Sequence, residues 1–148
     1  MKTQKKKGSK FERDLAKYMS SAGEWKRVPG SGALGTITNT PSLFGDVYGK
    51  LHPDLPEFTF IVEAKHGYGG STQITMKREW VDKAVEYTKK FASSGTGMVP
   101  YPLVVIKPNY ARMDDSIVVI RLADFRDMLI NIIRIYEDML VSCDEYKD

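Results

Sequence analysis

Phe11, Leu15, Tyr18, Met19 and Ala22 recur at helical spacing and predict a helix from Ser9 to about Ala22. Ser9-x-x-Glu12 at its start reads as a capping box, and Gly23 stops it. Glu24 to Val28 fits a short strand, and residues 29–43, rich in Gly, Ser, Thr, Asn and Pro, fit a loop. Two further strands, Phe44–Tyr48 and Phe58–Lys65, form a hairpin-like pair whose connection is kept irregular by Pro53 and Pro56. Beyond a Gly67–Ser71 loop, the stripe Trp80, Val81, Ala84, Tyr87 and Phe91 predicts a helix from about Ile74 to Ala92. Leu103–Ile106 and Ile117–Ile120 are β-rich runs, with Asp114-Asp115-Ser116 turning before the second. A last helix covers about Leu122 to Leu140. The order α-β-β-β-α-β-β-α predicts an α/β fold with a mixed sheet of about five strands flanked by helices.

Composition narrows the class without naming a function. The chain has 148 residues, 42% hydrophobic and 28% charged. That suits one globular domain over residues 1–148 and excludes collagen, coiled coil or disorder for the chain as a whole. No apolar run reaches the roughly 18–20 residues of a membrane span. The N-terminus is basic with no apolar core behind it, which is not the pattern of a secretory signal. One cysteine, Cys143, allows no internal disulfide and no cysteine-based zinc site. A reducing cytoplasmic setting is expected. Charge is uneven. Lys2, Lys5, Lys6, Lys7, Lys10 and Arg13 stand against Glu12 at one end. Glu137, Asp138, Asp144, Glu145 and Asp148 stand against Lys147 at the other. Residues 1–8 read as a basic arm suited to a polyanion, and residues 141–148 as an acidic tail.

The chemistry gathers on the hairpin. Along Phe58–Lys65, side chains alternate, so Thr59, Ile61, Glu63 and Lys65 share one face. A glutamate and a lysine at the end of so apolar a strand are costly to desolvate unless paired or holding something. Asp46 lies on the preceding strand, and antiparallel pairing would bring its carboxylate to that of Glu63. Two converging carboxylates repel and tend to bind a proton or share a cation. Oxygen ligands with room for water suit Mg²⁺ or Mn²⁺. With an ammonium beside it, such a cation suits hydrolysis of a phosphodiester. A plain Glu63–Lys65 salt bridge at a strand end, with Asp46 in a turn, accounts for the same residues without catalysis.

Gly45-Asp46-Val47, followed by an apolar strand ending Ile61-Val62-Glu63-Ala64-Lys65, resembles the signature of the PD-(D/E)xK nuclease superfamily. The segments Lys7-Gly8-Ser9-Lys10-Phe11-Glu12-Arg13-Asp14-Leu15 and Arg27-Val28-Pro29-Gly30-Ser31-Gly32 resemble the opening of the archaeal-type Holliday junction resolvases, which some phages also carry. The likeness covers about residues 7–66; beyond Lys65 only the element order agrees. It implies a restriction-endonuclease-like fold and a metal-dependent endonuclease that nicks four-way DNA junctions symmetrically. It also implies a homodimer, with Mg²⁺, or alternatively Mn²⁺, as cofactor and branched DNA as partner. If the protein is phage-encoded, its setting is the host cytoplasm. Asp46 and Glu63 would be metal ligands, Lys65 the catalytic lysine, and Glu12 an outer or second-metal carboxylate. Ser31 would face the scissile phosphate, and Gln73, opening the next helix, is a weaker candidate. Lys5, Lys6, Lys7, Lys10, Arg13 and Arg27, with Ser31, would contact DNA. The sequence departs from that pattern in its long 32–45 loop, in Gly45 where a proline is usual, and in the extended Leu51–Glu57 connection.

Other signals are better explained by structure. Gly30-Ser31-Gly32-Ala33-Leu34-Gly35 matches G-x-G-x-x-G literally, but Pro29 precedes it and no helix pattern follows. His52 and His66 are isolated, and strand alternation points His66 away from Glu63. Glu12 is explained equally by a cap and by a site. The last helix carries Phe125, Met128, Leu129, Ile132, Ile133, Tyr136, Met139 and Leu140, a stripe that a monomer can bury or a homodimer can share. Two other functions stay open beside the resolvase: a restriction-like or repair nuclease acting on duplex, flap or nicked DNA, and a non-catalytic DNA-binding protein on the same fold.

Overall fold

Three apolar stripes decide the layers. A computed structural model describes residues 2–30, 44–70 and 72–145. Helix α1 runs Lys2–Tyr18 and continues as a single 3-10 turn over Met19–Ala22. It presents Phe11, Leu15 and Ala16 to the sheet. Strand β1 (Glu24–Arg27) pairs antiparallel with β2 (Val47–Lys50), and β2 with β3 (Thr59–His66). After α2 (Arg78–Phe91), β4 (Tyr101–Lys107) lies parallel to β3. β5 (Ile117–Val119) closes that edge antiparallel to β4, and α3 (Leu122–Glu145) ends the described chain. The sheet order is β1-β2-β3-β4-β5, a mixed five-stranded sheet flanked by three helices. This is the α/β, restriction-endonuclease-like architecture that the order of elements predicts.

β3 is central and covered on both faces. Phe58, Phe60 and Val62 join the α1 side of the core with Val47, Tyr101 and Val105. Ile61 joins Phe44 and Phe91 on the α2 side, where Trp80 and Ala84 meet Val104 and Ile106. A strand buried on both faces reads as a continuous apolar run, as β3 does. Glu63 and Lys65 therefore emerge under α2, not into open solvent. Gly49 makes one close approach possible. It sits between Trp25 and Phe60 in register, and the Trp25 ring lies across it to stack on Phe60 at 5.5 Å; any Cβ there would collide with the indole.

Several boundaries differ from those the pattern predicts. α1 begins at Lys2, not Ser9, because Lys and Gln propagate a helix well although they carry no stripe. The basic arm is thus helical, and Ser9 and Glu12 lie inside the helix, where no capping box can form. The second strand begins at Val47 rather than Phe44, and α2 begins at Arg78 rather than Ile74. α3 extends through Val141–Glu145, so much of the acidic tail is helical. Ser31 and most of the glycine-rich loop lie outside the described residues, as do the side chains of Lys5 and Lys6. Among the described residues, no helix is long and apolar enough to cross a membrane.

Candidate active site

The antiparallel register carries Asp46 to Glu63. Val47 pairs with Val62, and one residue further the Asp46 N–H donates to the Val62 carbonyl at 2.8 Å. Gly45 sets the approach with φ +78°, where a side chain would press on Ile61 and the Val62 carbonyl. Proline, fixed near φ −65°, cannot adopt that conformation, which explains the departure from the usual motif. Asp46 Oδ2 then accepts a 2.9 Å bond from the Ala64 N–H. The two carboxylates are held by backbone geometry, not by flexible side-chain contacts.

Asp46, Glu63 and Lys65 open onto one cavity of about 620 Å³, with Glu12, Arg27 and Lys83 also on its walls. Glu63 is only 1% exposed, yet its Oε1 accepts two ammonium groups, from Lys65 at 2.6 Å and from Lys83 at 3.0 Å. Its Oε2 is buried and has no hydrogen-bond partner among the described residues. Burial pushes the Asp46 carboxyl up to about 6, reinforced by the charge of Glu63 and opposed by the Ala64 N–H. Half-burial works against the charge on Lys83, but the Glu63 carboxylate outweighs it and holds that ammonium above its ordinary value. The Lys65 ammonium lies 5.5 Å from the Trp80 ring centre, and Trp80 is itself braced edge-on by Tyr68 at 4.6 Å.

Glu12 reaches the same cavity but is committed to Arg27, whose Nε donates to Glu12 Oε2 at 2.7 Å. A second nitrogen of Arg27 donates to Ser9 Oγ at 3.2 Å. The partner that removes the cap explanation for Glu12 is therefore a strand arginine fifteen residues away. Glu12 still adds its charge to the field that raises Asp46. Lys7 stands on the cavity rim, and Lys10 and Arg13 are exposed on α1. His66 turns toward α1, tilted against Phe11 at 5.6 Å, and still lines the cavity at its edge. Partial burial, then the charges of Lys107 and Lys7, keep His66 below its usual value, one sign of a positive rim.

A divalent cation fits this donor set in part. An orphaned carboxylate oxygen beside a second, strained carboxylate is what such an ion would satisfy, and Mg²⁺ keeps several waters. Among the described residues, no three His, Cys, Asp or Glu side chains form a ready-made cage. The fit therefore rests on Asp46 and Glu63.

A family model described as "Phage putative PDDEXK endonuclease" matches residues 3–144. The chain belongs to that family. Neither a curated protein nor a solved structure matches it. As a PDDEXK nuclease it comes from a superfamily whose members generally depend on divalent metal. The residues that resemble the superfamily signature are the ones the fold brings together: Asp46 at the mouth of β2, then Glu63 and Lys65 at the end of β3. Gln73 is not with them. It is exposed in the loop before α2, where its carbonyl accepts the Gly70 N–H, and lines a different depression. Lys83, from α2, is the residue beyond β3 that reaches Glu63. It was discernible only as a lysine one turn after Trp80 on the stripe of α2, a signal that any solvated lysine also gives.

Proposed function

We propose that this PDDEXK nuclease is a Holliday junction resolvase, a Mg²⁺-dependent endonuclease that nicks four-way DNA junctions symmetrically. The observation that carries the hydrolytic part is the buried, unpartnered Oε2 of Glu63, beside Asp46 and a lysine in an open cavity. The junction substrate is supported by the resemblance of residues 7–66 to archaeal-type resolvases. That likeness runs in order from the basic segment and Glu12 through Arg27 to Asp46 and Glu63-x-Lys65.

Asp46 and Glu63 would hold the cation, with Glu12 as an outer carboxylate fixed by Arg27. When bound, the ion supplies Lewis acidity, which lowers the pKa of a water and offsets phosphate charge. Lys65 contributes a positioned ammonium. Its pairing with Glu63 and its place over Trp80 hold it where it can orient the attacking water or donate to a phosphate oxygen as charge develops. In-line attack at phosphorus leaves a 5′-phosphate. Lys7, Lys10 and Arg13 would bind backbone phosphates without reading sequence, so that selectivity comes from junction shape.

The test uses purified protein, an immobile synthetic four-way junction and a linear duplex of the same sequence, with Mg²⁺ or with chelator. Paired symmetric nicks ending in 5′-phosphate are expected on the junction with Mg²⁺. Asp46→Ala and Glu63→Ala should bind the junction without cutting. Metal-dependent cleavage retained by both variants overturns the assignment. Equal cleavage of the duplex favours the restriction-like or repair reading. Binding without cleavage in either Mg²⁺ or Mn²⁺ favours the non-catalytic one.

A further inference from the structure

The catalytic cavity borders on a second depression across a single loop. Tyr68 lines the first and Gly70 the second, so their Cα atoms are at most about 7 Å apart. The second depression, of about 480 Å³, has the size of a small-molecule site. Ile74 and Pro108 give it apolar walls, Gln73 an exposed amide and Tyr110 an aromatic ring. The loops that form it are tied together. The Gly67 N–H donates to the Lys107 carbonyl at 2.9 Å, and the Asn109 amide donates back to the Gly67 carbonyl at 3.2 Å. The Gly70 N–H meets the Gln73 carbonyl at 2.8 Å, and Gly69 lies so close to that carbonyl that no Cβ would fit.

Tyr110 is the residue that this packing does not explain. The Ala111 N–H bonds to the Pro108 carbonyl at 3.3 Å, which closes a β-turn with Tyr110 at its third position. Tyr110 has φ +65°, the one positive φ outside glycine among the described residues, and it is fully exposed. Glycine takes that conformation freely, whereas a bulky side chain there is an outlier. An exposed aromatic alone is ordinary. One held on strained backbone, with its whole surface in water, contributes nothing to the fold.

We propose that Tyr110 is a stacking platform for an unpaired nucleobase of the DNA strand whose phosphate lies at Asp46 and Glu63. The proposal rests on the nuclease reading for the position of that strand. Three observations select a base. The spacing agrees, because about 7 Å is about two nucleotide steps of 3.4 Å, so a strand seated in the catalytic cavity continues over the depression. The chemistry agrees, because a base stacks on an aromatic face and offers an edge to the donor and acceptor of an amide such as Gln73. The charge agrees. Lys107 pairs in register with His66 on the cavity edge and directly precedes Pro108, so an ammonium stands between the two depressions, where the intervening phosphate passes. A paired base keeps its faces inside the duplex stack. Only a base taken out of the stack, as at a branch point, presents one to Tyr110.

Binding of the full chain to an immobile four-way junction, measured by fluorescence anisotropy in chelator, tests the platform. A second junction carries abasic residues at every branch-point nucleotide. Tyr110→Gly should stay folded with a melt near that of wild type, since glycine suits the turn, and should bind the intact junction about 5- to 100-fold more weakly. Tyr110→Phe keeps the ring and should bind within about twofold of wild type. Wild type should lose the same factor on the abasic junction, and Tyr110→Gly should lose nothing further there. Unchanged affinity in Tyr110→Gly overturns the proposal. So does a loss that persists on the abasic junction, or a wild type that binds neither junction or both alike. Cleavage is not read, so the two readings fail separately. A protein that shows this pattern without cutting loses the hydrolytic reading and keeps the platform; one that cuts without the pattern does the reverse.

Discussion

Asp46 Oδ2 accepts the backbone N–H of Ala64, the residue between Glu63 and Lys65, at 2.9 Å. The bond fixes one carboxylate beside another that is fully buried. Burial, and after it the charge of Glu63, then work against ionisation of Asp46. A site that binds a cation has this form, and it is a source of instability when the cation is absent.

Replacing Asp46 with Asn should therefore stabilise the metal-free protein while abolishing cleavage. The amide oxygen can still accept from Ala64, but the cost of burying the charge, and with it the repulsion from Glu63, is gone. A carboxyl raised from 3.8 to about 6 binds its proton more tightly in the folded state. Stability is thus fully present below about pH 4 and declines as pH rises to about 6. Above that, Asp46→Asn should exceed wild type by about 3 kcal/mol. Urea denaturation in chelator across pH 4–8 measures both. A wild type as stable as Asp46→Asn at pH 7 contradicts the account.

Lys65 and Lys83 share Glu63 Oε1 but should not be equivalent. Lys65 is the more buried of the two, its side chain 20% exposed and held over Trp80, against 42% for Lys83. Lys65→Met removes a positioned donor and should lower kcat by about 10²–10³-fold. Lys83→Met removes a partly solvated partner and should cost about tenfold or less. Single-turnover cleavage of the junction by each variant decides it; equal losses would make the two lysines one functional unit.

The hairpin chemistry was legible because it rests on two local rules. Alternation puts Glu63 and Lys65 on one face, and antiparallel pairing puts Asp46 opposite. Both hold for the strand however the helices are arranged. What could not be read depends on tertiary placement. Lys83 reaches Glu63 only because α2 covers that face of β3, and Arg27 reaches Glu12 only because α1 packs across β1. Ser9-x-x-Glu12 had the form of a cap, but helix-favouring residues upstream carried the helix past it. Gln73 failed for a related reason. Four residues that fit the periodicity of α2 remain outside the helix.

Arg27 should matter to stability more than to catalysis. Glu12 is nearly buried, and its strand partner lies at 2.7 Å. Arg27→Ala leaves a buried carboxylate unpaired and should cost about 2–3 kcal/mol, somewhat below a fully buried pair because the guanidinium is partly solvated. Glu12→Gln keeps a neutral acceptor for Arg27 and should cost less. Thermal melts rank the two, and a reversed order removes Arg27 as the anchor of Glu12.

Junction binding should depend steeply on salt, and the dependence should map onto α1. Helical rotation of about 100° per residue keeps Lys7 and Lys10 on neighbouring azimuths and turns Arg13 further round. Lys7 lines the cavity rim. In chelator, which blocks cleavage, the slope of log K against log[salt] reports the phosphates neutralised, at about 0.7–0.9 per contact. Removing Lys7 and Lys10 together should flatten it by about 1–2, and Arg13→Ala should change it less. Lys26 is the internal control, since its ammonium is already paired with Glu24 and points from an exposed strand position. A slope that falls as much for Lys26→Ala as for the α1 pair would mean that the DNA is bound diffusely by net charge, and not along the helix that carries Glu12.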